Sequence, residues 1–384
     1  MRRVFRVFPT VLMVWCLAFT GAVPVGAVTE KPDLDIAAGS AVLMETSSGQ
    51  ILYAKDPYKE QPIASVTKIM TMLLAVEALE KGKVQLNDVV VTSEHAAGMG
   101  GSQIFLAPQE EMSFREMLIS VATGSANDAS VAVAEQIAGS EETFVELMNA
   151  RAKELGLKHT HYVNCTGLPA EGHYSCAHDQ AIILREALRY PVFREVSQIK
   201  EYDLRGGEFK LWNTNKLLWW YRGTEAGKTG WTNEANYCLA SSVVRDDLRL
   251  IGVVLGVKEK KGHFRESIKM YNWGFARFEA AKLAAAGETV KTLPVEKGVE
   301  TKVPVVTEKE VVAVVPKGEK EALESAIELP ARLLAPLAKE EKVGDYVVYH
   351  HGQEITRVGL VTARSVPEAS FLEQLLRVTE RMCR

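Results

Sequence analysis

The chain has 384 residues, too many for one compact core and enough for two domains. Hydrophobic residues make up 47% and charged residues 24%, the balance of a globular protein. A net charge of -4 argues against a nucleic-acid partner held by phosphate contacts.

The first element is a targeting segment. Arg2, Arg3 and Arg6 form a basic start, "PTVLMVWCLAF" is an apolar run too short to span a bilayer comfortably, and Val25–Ala27 fits a small-x-small cleavage site. Residues 1–27 therefore read as a signal peptide removed from an exported protein, with an uncleaved anchor as the alternative. Cys16 follows Trp15, a poor setting for lipid attachment. Cys165, Cys176, Cys238 and Cys383 contain no Cys-x-x-C and make no disulfide framework, so buried free thiols are expected; a Cys165–Cys176 pair is the alternative.

"AVLMETSSGQILYAKD" (Ala41–Asp56) reads as a hairpin around a Ser-Gly turn. Ile69, Met70, Leu73, Leu74, Val76 and Leu79 then repeat at helical spacing up to Gly82. That pattern puts Ser65 at or just before a helix N-terminus and Lys68 on the first turn. Further helices are expected around Phe114–Val121, Asn127–Ala138, Glu142–Leu155 and Ala177–Arg189. "YCLASSVVRD" and "LRLIGVVLGV" form a second hairpin, turning at Asp246–Asp247, and Phe264–Ala284 reads as one helix. Strands flanking a helix-rich middle describe an α+β domain over residues 28–286.

After Gly287, short β-branched runs broken by Pro, Gly and Lys indicate a small all-β domain over residues 289–364. It shows no catalytic cluster, and His350–His351 reads as a turn or edge feature rather than a metal site. Residues 367–384 form an amphipathic helix. Phe371, Leu372, Leu375, Leu376, Thr379, Met382 and Cys383 line one face, and Glu373, Arg377, Glu380, Arg381 and Arg384 the other. It lies either on a membrane surface or docked on the protein.

The chemistry is carried by three separated motifs. Ser65 and Lys68 are three residues apart and share a helix face, so the amine can reach the hydroxyl. A serine needs a base at neutral pH, and a lysine serves once burial and a neighbouring ammonium lower its pKa. Lys228 of "KTG" is the candidate second ammonium. "SAN" (Ser125–Asn127) sits on a turn entering a helix, where capping is the bland explanation. A second S-x-x-K, Ser197–Lys200, precedes no comparable apolar helix and reads as coincidence. No motif here calls for a metal or an organic cofactor.

Taken together, "ASVTKIMT", "TGSANDASVAVAE", "NCTGLPAEGHYSCAHD", "NTNKLL" and "GKTGWTNEANYCLASS" resemble low-molecular-mass penicillin-binding proteins, the serine-type D-alanyl-D-alanine carboxypeptidases of the peptidase S11 group. The resemblance implies a penicillin-binding-protein/β-lactamase-like transpeptidase domain, followed by the small β domain and the terminal helix. It implies Ser65 as nucleophile, Lys68 as general base and Ser125 as proton relay. Asn127, Lys228, Thr229, Gly230 and Thr232 would bind substrate, and the backbone N–H groups of Ser65 and Trp231 would form an oxyanion hole. Peptidoglycan stem peptide is the implied substrate, and β-lactams the covalent inhibitors. The group often carries an arginine after the second hairpin; here His263 or Arg265 stands in that region. Three alternatives stay open: a class A β-lactamase, against which Glu171 lacks an asparagine four residues later; an endopeptidase of the same fold; and a non-enzymatic wall-binding or sensor protein, against which the intact motif set speaks.

Overall fold

The computed structural model describes residues 34–374. The signal-peptide reading of residues 1–27, Cys16, Cys383 and the helix beyond residue 374 fall outside the described residues. All the described strands and helices belong to one unit, which begins at Ile36.

Five antiparallel strands form the central sheet, in the order Ile51–Lys55, Ser40–Glu45, Leu248–Val257, Asn236–Arg245 and Thr224–Thr232. The helices Ala177–Ala187 and Gly262–Arg277 both pack on the strands Ser40–Glu45, Asn236–Arg245 and Leu248–Val257. They must therefore cover opposite faces, which is why "LRLIGVVLGV" is apolar almost throughout rather than alternating. Tyr271 fastens one helix to the sheet: its hydroxyl accepts from the Gly252 amide at 2.9 Å and donates to the Ser241 carbonyl at 2.6 Å.

The helix Lys68–Glu80 is buried at almost every position, Lys68, Thr71 and Glu77 included. Helices Phe114–Thr123, Asn127–Ala138, Glu141–Glu154, Ala177–Ala187 and Pro191–Gln198 surround it. An apolar helix without a polar face belongs in such a centre. Its buried polar groups are answered: Arg151 pairs with Glu77 at 2.8 Å, and the Thr71 hydroxyl donates to the Cys165 carbonyl at 2.6 Å. Cys165, Cys176 and Cys238 are buried free thiols, so the Cys165–Cys176 disulfide is not formed. The Cys176 sulfur instead caps a helix, accepting from the Asp179 amide at 3.4 Å.

One element differs from its sequence reading. The helix expected over Phe264–Ala284 ends at Arg277; Phe278 turns extended (φ -118°, ψ 153°), and Phe278–Ala284 is a strand paired with Val311–Pro316. Its alanines favour helix weakly, and pairing with a β-branched partner strand overrides that preference. Residues 278–284 thus pair with the β-rich region of the chain rather than with the first domain. That region is built on a six-stranded sheet: Leu323–Glu328, Lys342–His350, Gln353–Thr362, Lys302–Thr307, Thr289–Glu296 and Leu333–Leu334. The α+β layout read from the sequence is the one observed.

The chain then docks on the β-rich region before any helix starts. Val366 bridges Leu337, Glu368 bridges Gly298, and the Ala369 amide donates to the Lys297 carbonyl at 2.7 Å. Helix begins only at Phe371, with Phe371 81% and Leu372 64% exposed. No helix among the described residues is long and apolar enough to cross a membrane.

Candidate active site

A short 3-10 turn, Ala64–Thr67, runs directly into the helix that starts at Lys68. Ser65 therefore sits on a tighter turn than an α-helix provides, next to Ala64 at φ +48°. The Lys68 ammonium donates to Ser65 Oγ at 2.9 Å, to Asn127 Oδ1 at 2.7 Å and to the Thr166 carbonyl at 2.6 Å. The side chain is fully buried, and this burial brings its pKa down to about 7. Asp128, itself buried, pulls it back upward; Cys165 adds no charge, because burial pushes its thiol well above the usual range and keeps it protonated.

The hydrogens on that nitrogen limit how it can be used. As an ammonium it has three, one for each contact. As a neutral amine it has two, and the Asn127 and Thr166 oxygens can only accept. The contact left for the amine lone pair is Ser65 Oγ, whose O–H must then donate. The partners of Lys68 thus aim its basic lone pair at the serine.

Ser125 sits at φ +59° just before the helix Asn127–Ala138 and is buried. The capping explanation fails: Ala126 is the N-cap, with no side-chain cap bond. Asn127 is held by Lys68 on one side and donates Nδ2 to the Gly100 carbonyl at 2.6 Å on the other. Asp128 fixes the neighbouring loop, accepting from the amides of Ile104 at 3.0 Å and Leu106 at 3.1 Å.

The K-T-G segment lies on Thr224–Thr232, the edge strand of the central sheet. Lys228 is fully buried and donates to Ser125 Oγ at 2.8 Å. Burial, and then the charge of Lys68, push its pKa well below the usual range. Burial is thus the leading cause for both lysines, where the sequence points to mutual repulsion as a partner cause for Lys68. Gly230 is needed for a reason the sequence did not reveal. A Cβ there would lie 2.5 Å from the Ile63 carbonyl oxygen and 3.0 Å from the Ser65 nitrogen. The missing side chain lets this strand close onto the serine turn. Thr229 is half-buried, Trp231 is 55% exposed, and Thr232 Oγ1 accepts from the Ala235 amide at 3.0 Å.

The segment that closes the third side carries part of the resemblance, but sequence reasoning gave none of its residues a role. Thr166 contributes only a carbonyl. Gly167, at φ +82°, lies so close to Ala64 that a Cβ would collide with its carbonyl oxygen. His173 supports the turn: Nδ1 accepts from the Val163 amide at 3.2 Å, which leaves Nε2–H to donate to Thr67 Oγ1 at 2.8 Å. Burial pushes its pKa down to about 4, so it stays neutral. Beside the serine turn is a cavity of 320 Å³ lined by Ala64, Gly167, Leu168, Glu171, Thr232 and Glu234, among others.

Other candidates lie apart. Arg265 is spent on Glu259 at 2.8 Å and Glu266 at 3.1 Å. His263 is buried and stacked on Tyr237 (centroids 5.4 Å), and burial pushes its pKa down to about 4. Ser197 Oγ is buried without a partner, and Lys200 lies over the Trp219 ring at 5.9 Å, so the second S-x-x-K forms no pair.

Comparison with known proteins identifies the family. Residues 26–259 match the family described as D-alanyl-D-alanine carboxypeptidase, peptidase S11, and residues 278–368 match the penicillin-binding protein 5 C-terminal domain. The chain belongs to the peptidase S11 family. Its S11 relatives include the D-alanyl-D-alanine carboxypeptidase DacF of Bacillus subtilis, 41% identical over 344 residues, which are 88% of each protein. The crystal structure of penicillin binding protein 5 from Haemophilus influenzae superposes with a TM-score of 0.76 at 34% identity, covering 88% of this chain and 100% of that one. Penicillin-binding protein D2 from Listeria monocytogenes, solved in its ampicillin-bound form, aligns with 64% of this chain and 100% of its own (TM-score 0.58, 28% identity).

The tight Gly230 contact makes a specific prediction. Gly230→Ala must move the edge strand away from the Ser65 turn while leaving the helical core intact. A displacement of this kind is expected to slow acylation by labelled penicillin roughly 100-fold, with an unchanged circular dichroism spectrum. Labelling at the wild-type rate would show that the strand position does not matter.

Proposed function

We propose that the chain is a serine-type D-alanyl-D-alanine carboxypeptidase that removes the terminal D-alanine of peptidoglycan stem pentapeptides. The observation that carries this reading is the Lys68 nitrogen, buried, near pKa 7 and bonded to Ser65 Oγ and two pure acceptors.

In this reading neutral Lys68 takes the Ser65 proton as Oγ attacks the carbonyl carbon of the penultimate D-alanine. The oxyanion of the tetrahedral intermediate is held by the backbone N–H groups of Ser65 and Trp231. The C–N bond then breaks, and the departing amine takes its proton through Ser125, which Lys228 holds at 2.8 Å. Water cleaves the Ser65 ester and releases the tetrapeptide. Lys228, Thr229 and Thr232 receive the terminal carboxylate, and Gly230 keeps their strand against the serine. Asn127 gives Oδ1 to Lys68 and one Nδ2 hydrogen to Gly100, so its first task is to orient Lys68; the second Nδ2 hydrogen is the donor it can offer to substrate. Neutral His263 brings no positive charge to the carboxylate, and Arg265 is tied to two glutamates. β-Lactams would acylate Ser65 in the same way, a reading supported by the ampicillin-bound relative. The enzyme would act outside the cytoplasmic membrane after export, attached peripherally through its C-terminal helix.

The deciding experiment combines turnover with labelling. Ser65→Ala is expected to abolish D-alanine release from diacetyl-Lys-D-Ala-D-Ala, and peptide mass mapping of the wild type should find a long-lived penicillin adduct on Ser65. Rapid loss of label would favour a β-lactamase, and preferential cleavage of cross-linked dimers an endopeptidase.

The general base acts in its neutral form, so the rate must rise with pH. Acylation by penicillin is expected to increase through about pH 7, the pKa of Lys68, and to level off above it. A rate constant flat from pH 5 to pH 9 would remove Lys68 as the base.

Anchoring is tested by ending the chain after Ser370, which preserves the docked residues Val366–Ala369. The truncated protein is expected to leave the membrane fraction with full peptidase activity; unchanged fractionation would rule out the terminal helix as the anchor.

A further inference from the structure

Two loops meet at one corner of the β-rich region. The strands Lys342–His350 and Gln353–Thr362 turn over at His351 (φ +50°) and Gly352. Leu323 pairs with His350, so the loop ahead of the strand Leu323–Glu328 is carried to that turn. Glu319 lies in this loop. Its Oε2 is 2.8 Å from His350 Nε2 and 3.3 Å from His351 Nε2.

We propose that Glu319, His350 and His351 bind one divalent transition-metal ion of the zinc type, clipping the two loops together. Their ligand atoms lie within 4.8 Å of one another, and this is the one such group among the described residues. A tetrahedral zinc with bonds of about 2.0–2.1 Å holds its ligand atoms about 3.3 Å apart, close to the 2.8 Å and 3.3 Å between Glu319 and the two histidines.

A second observation points the same way. His350 Nε2 is buried and makes no directed hydrogen bond, although the Glu319 carboxylate is adjacent. An ordinary imidazole–carboxylate pair would aim its N–H at the oxygen. Here His351 Nε2 does hydrogen-bond Glu319 Oε2 at 3.3 Å, whereas His350 Nε2 lies nearer the same oxygen, at 2.8 Å, without being directed at it. The local cation does not compete, because Lys320 is turned to Glu279 at 3.1 Å. His351 is 68% exposed in its side chain, so an ion can enter and keep water in its remaining position. Two imidazoles and one carboxylate suit Zn²⁺, Co²⁺, Ni²⁺ or Cu²⁺ rather than Mg²⁺ or Ca²⁺, which prefer oxygen ligands. The competing explanation is a plain ion pair between Glu319 and protonated histidine.

The full chain, stripped with a chelator, is titrated with ZnCl₂ and separately with CoCl₂, with MgCl₂ as control. One saturable Zn²⁺ site, a tetrahedral Co²⁺ absorption spectrum and a Zn²⁺-raised melting temperature are expected, with no response to Mg²⁺. His351→Ala lies on an exposed turn, and Glu319→Gln is close to isosteric. Each is expected to weaken Zn²⁺ binding by about tenfold or more, to cancel the thermal shift and to leave D-alanine release unchanged. Absence of a saturable site, equal binding of Mg²⁺, or a Zn²⁺ site that survives both substitutions would overturn the proposal.

Discussion

An amine sealed from water is the constraint around which this molecule is built. Burying a lysine without compensation costs several kcal/mol, and the usual response is loss of its proton. Lys68 meets that response half-way: burial brings its pKa to about 7, and oxygens from Ser65, Asn127 and Thr166 hold the nitrogen in place. Each of those oxygens comes from a different stretch of the chain. The serine precedes the central helix, the asparagine opens another helix, and the carbonyl belongs to a loop between helices. Bringing them together fixes how these pieces pack.

Keeping them together requires backbone that would otherwise relax. Ala64 at φ +48° and Ser125 at φ +59° occupy a region that costs non-glycine residues about 1–3 kcal/mol each. Both flank or contain proposed catalytic serines. Three features counter the strain. The helix behind Ser65 is buried on all sides, so the turn is attached to a rigid post. Gly167 and Gly230 let two neighbouring segments press on that turn from different directions, at distances where a Cβ would collide. Asp128 ties down the loop facing Ser125 through two amides.

What the sequence revealed, and what it hid, depends on how each group acts. Ser65, Lys68, Asn127 and Lys228 act through side chains, and helical spacing or a short motif exposed them. Thr166 acts through a carbonyl, which every residue possesses, so nothing in "NCTG" marked it. Gly230 was legible as a residue but not in its reason, because the space it leaves is filled by the chain itself. Ser197–Lys200 has the same spacing as Ser65–Lys68, and only packing separates them: Lys200 has a tryptophan face to cover and no reason to turn back. Phe278–Ala284 was misread for the opposite cause. Its local preference is helical, and the strand that captures it, Val311–Pro316, is far along the chain. The terminal segment shows the same bias: the helix was read from residue 367, but Glu368 bridges Gly298 and the Ala369 amide is held by the Lys297 carbonyl.

The two buried lysines are alike in exposure and differ in company, and this difference divides their work. Lys68 has the Asp128 carboxylate near enough to retain some of its affinity for a proton. Among the described residues Lys228 has no such anion; its partners are Ser125 Oγ and the Thr229 carbonyl, and after burial the charge of Lys68 pushes it further down. An unliganded site therefore cannot easily hold two positive charges. A substrate carboxylate arriving beside Lys228 would supply the missing anion and favour a proton there instead. Repulsion between the ammonium groups would then act on Lys68, favouring the neutral amine whose lone pair faces Ser65. In the proposed reaction the pocket that receives the end of the substrate would thus also ready the base that activates Ser65.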